Sequence, residues 1–547
     1  MQSDSSTKFA SRWWRLVAVL GALAMLAGAC SGESDDDDTA TATTEEPGTT
    51  EDPGTTDDPG TSEDPGTTDD PGTTSAPGSG TITDPRGDLF NDFQATFDRS
   101  HPFQSMDAFC LPHEAAADRQ ATDPGITADG IEIHQLRQQL EDLIQFGFGV
   151  EVGDVEAMFD AFVAEINDNC GGIRGRMLEL ERSSYSPITQ TVLEDQNANC
   201  LEATEDRNAV ITMSSSGFVG PAVLCVVEEH DTAFIGTTGL PDDYYERAEG
   251  RAVTLDQSQS ESMRFMVEKL HADGLLEGKT IAVIGQDSPG QPETVDGALV
   301  ATLEELGYTV TVRETLGCGG GTTCGEGVSE AASNMFDEGV DAVFGALNVL
   351  SLPGLVSEMA VQGFEPGDAM FFNSNFNSQA TDLVASKVSA NGGPDAAALY
   401  NGAWLTHGQA TGNFRLPGYE VPAFNQLCLD TYAGQGGPQY DVLNEEENSP
   451  SGMVASVCAQ FRIIARAIYD AGDNPTRQDI YDAMANLGPV DVNNGLVASL
   501  EPGKGSTPNT FQTMTFTWPC ELGEEFAYDE ASGSCVVPNA DWYLARE

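Results

Sequence analysis

The chain has 547 residues, which is enough for two or three domains of about 150 residues each. Its 88 acidic and 24 basic residues give a formal net charge of −64. A surface this negative repels phosphate backbones and anionic lipid headgroups, which excludes nucleic-acid partners and docking through a basic surface.

Residues 1–30 have the pattern of an export signal. Three basic residues precede a short apolar run, 16–28, and Cys30 follows it. The run is shorter than the ~20 apolar residues that span a bilayer. The pattern resembles a bacterial lipoprotein signal, in which a cysteine after small residues is lipidated and becomes the mature N-terminus. We therefore expect a secreted protein, anchored to the outer face of the cell membrane by a lipid on Cys30. The alternative is an ordinary secretory signal cleaved near Ala29.

Residues 31–83 read as a tether. A six-residue repeat of two threonines, two acidic residues, proline and glycine fills most of the segment. Such a composition has too little apolar surface to offset the entropy of the chain, so the segment is expected to be disordered. Regular prolines and like charges keep it extended. We expect it to lift the following domains off a membrane, a role compatible with that of a solubilising tail.

Ten cysteines remain of the eleven in the chain once Cys30 is set aside. An even number in an oxidising compartment predicts five structural disulfides. No Cys-x-x-Cys or His-Glu-x-x-His occurs, so we expect no metal site and no cofactor. Short spacings and helix ends suggest four pairs, and the fifth is left by elimination. The predicted pairs are Cys318–Cys324, Cys520–Cys535, Cys428–Cys458, Cys200–Cys225 and, by elimination, Cys110–Cys170.

The body of the chain alternates between strand and helix patterns. Helical apolar stripes and short apolar runs follow one another twice along the sequence, first between 125 and 253 and again from 278 to 372. Such a βαβα order predicts parallel sheets with helices on both faces. Predicted strands lie at 131–133, 177–180, 209–213, 233–235, 280–285, 308–312, 341–345 and 369–372; predicted helices lie at 155–167, 194–206, 292–306, 326–338 and 352–362.

Several segments in this order resemble a known family. They are an opening strand at 129–133, a helix and strand entry at 161–167 and 171–176, a serine-rich turn at 214–216, the start of a second lobe at 278–284, and a late helix at 465–472. Over about residues 125 to 490 the chain resembles the type I periplasmic solute-binding proteins, in the leucine/isoleucine/valine-binding branch of ABC importer receptors.

The resemblance implies an α/β fold of two doubly wound parallel-sheet lobes joined by hinge strands. Lobe 1 is expected to comprise 84–253 and 373–500, with 84–124 as an N-terminal extension. Lobe 2 is expected to comprise 254–372, and the disulfide-containing segment 501–547 is expected to return to it. In this fold a hinge closes the lobes on a ligand.

Candidate ligand contacts follow from the places where strands end, because ligands of open α/β sheets bind at the carboxyl ends of strands. Hydroxyls at the start of a helix suit an acceptor-rich ligand group. The alternatives are helix capping for the serines and a plain turn for the threonines. The lobe 1 candidates are Ser214, Ser215, Ser216, Phe218, Thr237 and Thr238.

At the strand ends of lobe 2 the candidates are Ser288 and Asn348. A further candidate, Asn375, follows the last of these strands, and the alternative for all three is a turn residue. The loop 286–290 lacks the aromatic residue that amino-acid-binding members usually carry, and the loop 346–350 lacks their carboxylate. A substrate ammonium would lose a charged hydrogen bond worth ~1.5–3 kcal/mol. A less basic solute, such as an amide, a carboxylate or another small polar organic molecule, fits equally well.

The sequence thus favours an importer receptor that passes a small solute to an ABC permease in the membrane. No nucleophile–base pair is evident, so we expect no enzyme. Two other functions stay open. One is a ligand sensor that acts through a partner protein, and the other is a surface hydrolase or a structural surface protein.

Overall fold

A computed structural model of the protein describes residues 86–149, 151–374, 380–520 and 533–545. The predicted signal and tether, with Cys30, lie outside these residues, as does the candidate Asn375.

The first sheet has five parallel strands in the order β2-β1-β3-β4-β5. The strand β1 pairs on one side with β2 and on the other with β3, which is the central strand. Every residue of β3 and β4 is buried, which shows that both faces of the sheet are covered. The strands are β1 Gly130–Gln138, β2 Met177–Tyr185, β3 Ile211–Ser214, β4 Ala233–Gly236 and β5 Ala252–Thr254.

The helices around this sheet come from two stretches of the chain. Asp154 caps the first of them by accepting a hydrogen bond from the backbone N–H of Ala157. Three of the helices continue into short π-helical turns, at Glu165–Asn169, Glu202–Asp206 and Cys225–Glu229. The helices of lobe 1 are α2 Val155–Ala164, α3 Val192–Leu201, α4 Pro221–Leu224, α5 Asp242–Ala248, α12 Ala423–Gly434, α13 Glu445–Asp470 and α14 Arg477–Ala485; α1 Asp88–Gln94 precedes them.

Among the described residues, the helix α13 alone is long and apolar enough to cross a membrane by length and composition. Of its most apolar window, 78% is buried inside the protein. Apolar residues of α13 such as Val454, Phe461 and Ile464 belong to the core of lobe 1. The helix is thus a core element of the lobe.

The second sheet has seven strands in the order β14-β13-β10-β9-β8-β6-β7. Five neighbouring strands, β7, β6, β8, β9 and β10, run parallel to one another. At the opposite edge, β13 and β14 form an antiparallel hairpin. The strands are β6 Ile281–Gln286, β7 Val310–Leu316, β8 Ala342–Gly345, β9 Met370–Asn373, β10 Trp404–His407, β13 Thr510–Thr517 and β14 Cys535–Leu544. The helices are α6 Gln259–Ala272, α7 Gln291–Thr294, α8 Ala301–Glu305, α9 Val328–Asp337, α10 Leu352–Gln362 and α11 Asp382–Tyr400; β11 Gly488–Pro489 and β12 Ser499–Leu500 form a small separate ladder.

This topology corrects two details of the predicted organisation. The segment 373–500 was expected to belong wholly to lobe 1, but β10 pairs with β9 and with β13 in the second sheet. The helix α11 also packs in lobe 2, since Val388 and Leu399 lie in its core. The chain therefore returns to lobe 1 only after β10. The second sheet is mixed, because an antiparallel hairpin extends the predicted parallel strands.

Three segments connect the lobes and contact one another. The first follows β5, the second follows β10 and the third precedes β13. Thr254, at the end of β5, forms a parallel bridge with Ser506 of the third segment. The Nε2 of Gln257 donates to the carbonyl of Thr510 at 2.7 Å. His407 Nε2, at the end of β10, lies 3.5 Å from Asp256 Oδ1, and both side chains are buried. These contacts make the three connections a single hinge.

Five disulfides join the ten cysteines that follow Cys30. They are Cys110–Cys170, Cys200–Cys225, Cys318–Cys324, Cys428–Cys458 and Cys520–Cys535. The first ties the N-terminal extension to the end of the π-helical turn after α2. The others each close a loop of 30 residues or fewer within one lobe.

Candidate functional site

The carboxyl ends of the two sheets face each other. Thr322, which follows β7, donates its hydroxyl to the carbonyl of Pro187, which follows β2, at 2.7 Å. Gly220 follows β3, and a Cβ on it would stand 3.8 Å from the carbonyl of Pro289, which follows β6. The strand ends of both lobes therefore border one cleft.

The serine turn lies at the end of β3, as predicted. Ser214 and Ser215 are buried, whereas Ser216 is half-buried. The Ser214 hydroxyl donates to the carbonyl of Ser216 at 3.0 Å, so it stabilises the turn itself. Of the three serines, Ser216 is the most exposed.

Thr237 and Thr238 follow the neighbouring strand β4. Thr237 donates its hydroxyl to the carbonyl of Ser215 at 2.6 Å and its backbone N–H to the carbonyl of Ser214 at 3.2 Å. These bonds bring the two turns together. Thr238 is half-buried beside them. Ser216 and Thr238 thus lie in adjoining turns, and both side chains are partly exposed.

Phe218 does not belong to this surface. Its ring lies 6.0 Å from the rings of Tyr185 and of Phe234, and only 2% of the residue is exposed. The side chain is part of the apolar core between the sheet and its helices. A large apolar side chain after a tight turn gains more from this burial than from a polar cleft.

Gln460 stabilises the serine turn by hydrogen bonds, and the sequence did not predict this role. Its Nε2 donates to the carbonyl of Ser214 at 2.8 Å and to that of Ile235 at 3.4 Å. The residue is fully buried on the core helix α13. The sequence signal is a single amide in the apolar run 457–461, because a buried polar side chain needs a partner.

The lobe 2 candidates are occupied by contacts within their own lobe. Asn348 donates from Nδ2 to the carbonyl of Thr322 at 2.6 Å, and its Oδ1 accepts from the backbone N–H of Ser351 at 3.0 Å. The Ser288 hydroxyl accepts from Gln286 Nε2 at 3.0 Å and lies 3.4 Å from the sulfur of Cys318. Both side chains therefore hold the loop between Cys318 and Cys324.

The charges around these strand ends are few. The segments 214–218, 236–239, 286–290 and 345–350 carry one charged side chain, that of Asp287. It is exposed, and its Oδ1 accepts from the backbone N–H of Cys318 at 2.7 Å. These four segments thus offer chiefly hydroxyls, amides and backbone groups to a ligand, which suits hydrogen bonding to a small polar molecule.

Among the residues that the structure describes, two groups of side chains have the spacing of metal ligands. They are Cys200, Cys225 and His230, and Cys110, Glu165 and Cys170. In both groups the two cysteines are joined as a disulfide. Neither group therefore offers the thiolates that bind a metal.

Solved structures with the same architecture are solute-binding proteins. A solute-binding protein of an ABC transporter from Rhodopseudomonas palustris HaA2, in complex with p-hydroxybenzoic acid, has a TM-score of 0.53 and 13% identity, over 77% of this chain and 98% of that one. A fatty acid ABC transporter substrate-binding protein from Thermomonospora curvata has a TM-score of 0.51 and 14% identity, over 77% and 94%.

A leucine-, isoleucine-, valine-, threonine- and alanine-binding protein from Brucella ovis, in its closed conformation, has a TM-score of 0.51 and 13% identity, over 76% of this chain and 96% of that one. At such identities these similarities show the fold alone. No curated protein sequence matches the chain.

A model of the periplasmic binding protein family matches residues 152–515. The match covers most of both lobes, including the serine turn and all three connections of the hinge. It confirms the resemblance that the order of strands, helices and turns indicates. The chain belongs to the periplasmic binding protein family.

Proposed function

We propose that the protein is the extracytoplasmic solute-binding component of an ABC-type importer. In this proposal a lipid on Cys30 anchors the chain to the outer face of the membrane, and residues 31–83 are the tether. The two lobes close on a small polar organic solute and present it to a membrane permease. The protein acts by binding and not by catalysis.

The observation that carries this proposal is the convergence of strand ends from both lobes on one cleft. In the proposal, Ser216 and Thr238 border this cleft in lobe 1. The loop held by Asn348 borders it in lobe 2, where Thr322 contacts the carbonyl of Pro187. The similar solved structures, which are ABC transporter solute-binding proteins, also support a role in solute binding.

The chemistry of the strand ends favours an amide, a carboxylate or a similar small polar solute over a zwitterionic amino acid. The second-lobe strand ends carry no carboxylate placed like the one that amino-acid-binding members use, since Asp287 is exposed and accepts from the backbone. An ammonium group beside the described strand ends of lobe 2 would therefore lack a buried counter-ion, which disfavours its desolvation.

A thermal-shift screen of the full chain, with disulfides intact, tests the proposal. The panel contains amino acids, amides, aliphatic and aromatic carboxylates, and sugars. A solute at 100 times its dissociation constant adds about 2.7 kcal/mol to the free energy of unfolding. We expect a shift for one chemical class, and we expect it to shrink in Ser216→Ala and in Thr238→Val.

Ser329→Ala is the matched control, because Ser329 is exposed on α9 in lobe 2. It is expected to leave the shift unchanged. If no member of a broad panel changes the unfolding temperature, or if the two cleft variants behave as the control does, the proposed site is wrong.

Membrane fractionation tests the anchor separately. Cys30→Ser removes the only sulfur that the predicted signal offers for lipidation, so the variant is expected to move from the membrane fraction to the soluble extracytoplasmic fraction. Retention of the variant in the membrane to the extent of the parent protein would contradict lipid anchoring at Cys30.

A further inference from the structure

The loop between Cys318 and Cys324, here called the stapled loop, carries an interaction that the proposed binding role does not explain. It follows β7 and reads Gly-Gly-Gly-Thr-Thr between its two cysteines, which are joined as a disulfide. The Cys318 backbone N–H donates to Asp287 Oδ1 at 2.7 Å, and that of Cys324 donates to the Ser351 hydroxyl at 2.9 Å. Both ends of the loop are thus fixed to lobe 2.

The tip of the stapled loop is fixed as well. Asn348 Nδ2 donates to the carbonyl of Thr322 at 2.6 Å. Asn348 Oδ1 in turn accepts from the Ser351 hydroxyl at 2.9 Å. A disulfide, two backbone hydrogen bonds and this amide therefore hold a glycine-rich segment that would otherwise be flexible.

The fixed tip reaches the opposite lobe. The Thr322 hydroxyl donates to the carbonyl of Pro187 at 2.7 Å. A Cβ on Gly320 would stand 3.6 Å from the carbonyl oxygen of Gln190, and a Cβ on Gly321 would stand 3.5 Å from Gln190 Nε2. The glycines thus let the loop lie directly against the segment 187–190 of lobe 1.

We propose that the stapled loop is a latch that holds the cleft closed. It docks on 187–190, at the mouth of the cleft, and Thr322 makes the hydrogen bond that joins the two lobes. The inference rests on the proposed function, because a latch has a role only where two lobes open and close. Asn348 is then a positioning residue for the latch.

Fixing the loop in advance makes a small contact effective. A flexible loop would have to lose conformational freedom each time the cleft closed, and that loss would offset much of one hydrogen bond. The disulfide and Asn348 remove this freedom in both the open and the closed state. The contact between Thr322 and Pro187 then contributes fully to closure.

Spin-label distance measurements on the solute-free full chain test the latch. Labels are attached at Asn197→Cys on α3 and Glu330→Cys on α9, which are exposed and lie on opposite lobes. Cys30 is changed to Ser, so the introduced thiols are the only free ones beside the five disulfides. The ratio of short to long distances then reports the closed fraction.

Thr322→Val removes the hydroxyl and keeps the shape of the side chain. A typical net hydrogen bond corresponds to a change of about 2- to 10-fold in the ratio of closed to open molecules, so we expect a fall of that size. Thr323→Val is the matched control, because Thr323 is the exposed neighbour in the same loop. We expect it to leave the ratio unchanged.

Gly321→Leu provides a second variant that does not depend on the hydrogen bond. Its side chain would project against Gln190, so we expect the distance distribution to move to longer values. An unchanged distribution in both Thr322→Val and Gly321→Leu, or an equal change in Thr323→Val, would overturn the latch. Because no solute is present, a failed solute screen would not affect this result.

Discussion

Glu132 is a carboxyl group whose proton affinity is altered by its neighbours. It lies on the strand β1, directly opposite Glu179 of the edge strand β2. Burial raises the pKa of Glu132 to about 7, and a hydrogen bond and the negative charge of Glu179 add to the effect, as does Glu181. The neutral form of the Glu132 carboxyl is therefore favoured in the folded protein below neutral pH.

This shift makes the stability of the fold depend on pH in a defined direction. Between pH 4.5 and 7 the folded protein holds a proton at Glu132 that the unfolded chain has released. The free energy of unfolding therefore falls as the pH rises through this window. Glu132→Gln removes the effect and is expected to gain about 1 kcal/mol over the parent protein at pH 8 relative to pH 4.5, after allowance for solvent screening.

Urea unfolding at pH 4.5 and at pH 8 measures this gain. Glu338→Gln is a suitable control, because Glu338 is exposed at the end of α9. Equal pH dependence in the parent and in Glu132→Gln would show that Glu132 ionises normally. His134, on the same strand, acts in the opposite direction, since burial lowers its pKa to about 4 and its charging below pH 6.5 opposes folding.

The sequence predicted the position of the serine turn correctly, because the residue types themselves indicate where the strand ends. Ser214 to Ser216 end a buried strand, and a run of hydroxyls at such a point is visible in the sequence. The hydrogen-bond partner of a side chain, in contrast, cannot be inferred from the sequence. Asn348 and Ser288 lie near the cleft, but their bonds go to the stapled loop. Gln460 reaches the serine turn from a helix 246 residues away along the chain.

At the scale of elements, Gly239 determines how the turn after β4 meets the hinge. A Cβ on Gly239 would stand 1.7 Å from the carbonyl oxygen of Gln257, in the first connection between the lobes. Gln259 Nε2 also donates to the carbonyl of Gly239 at 2.9 Å. The turn that carries Thr237 and Thr238 thus packs directly on the hinge, with no room for a side chain.

Gly239→Ala is therefore expected to destabilise the protein by about 2 to 3 kcal/mol, because backbone must move to accept the methyl group. The variant is also expected to bind solute less well, since the turn with Thr238 shifts. Gly354→Ala is the matched control. It lies in α10 with no atom within 4 Å of the added Cβ, and alanine there should stabilise by about 0.5–1 kcal/mol. Chemical unfolding of both variants measures the difference, and similar stabilities would contradict the close packing.

The strands and helices that the sequence predicted are those with local patterns. Buried parallel strands such as β3 and β6 read as short apolar runs, and the helix α10 shows an apolar stripe. The strand β10 and the hairpin β13–β14 were not predicted. Their residues acquire a place in the sheet only by pairing across about 100 residues of chain, with Trp404 opposite Thr515. Such pairing leaves little local signal.

At the scale of the whole molecule, the N-terminal extension contacts both lobes. Arg99 forms an ion pair with Asp491 of lobe 1 at 2.6 Å. Phe90 of α1 packs edge-on against Trp542 of the hairpin β13–β14, with ring centroids 5.4 Å apart. The family match covers residues 152–515, so the extension and the strand β14 lie outside it. In the sequence, only Cys110 indicated that the extension is attached to lobe 1.

Arg462 is the main buried contact between the extension and the core. It lies on α13, and its guanidinium donates to the carbonyl of Ser105 at 2.9 Å and to that of Phe109 at 2.8 Å. Burial lowers its pKa to about 10. The charge is offset by Asp491, 3.9 Å away, which Arg99 also contacts. Carbonyls of the extension that lose this partner stay buried without a donor.

Arg462→Met keeps most of the side-chain volume and removes the donors. We expect it to lower the free energy of unfolding by about 3 kcal/mol, as breaking a buried charged contact does. Hydrogen exchange of residues 99–109 should also become faster than in the parent, because this segment then loses its buried hydrogen bonds to α13. Arg207→Met, at a residue with a side chain 45% exposed, is the control and should change neither quantity. If exchange in 99–109 is as slow in Arg462→Met as in the parent, Arg462 does not hold the extension. The extension is then attached through the contacts of Phe90 with Trp542 and of Arg99 with Asp491.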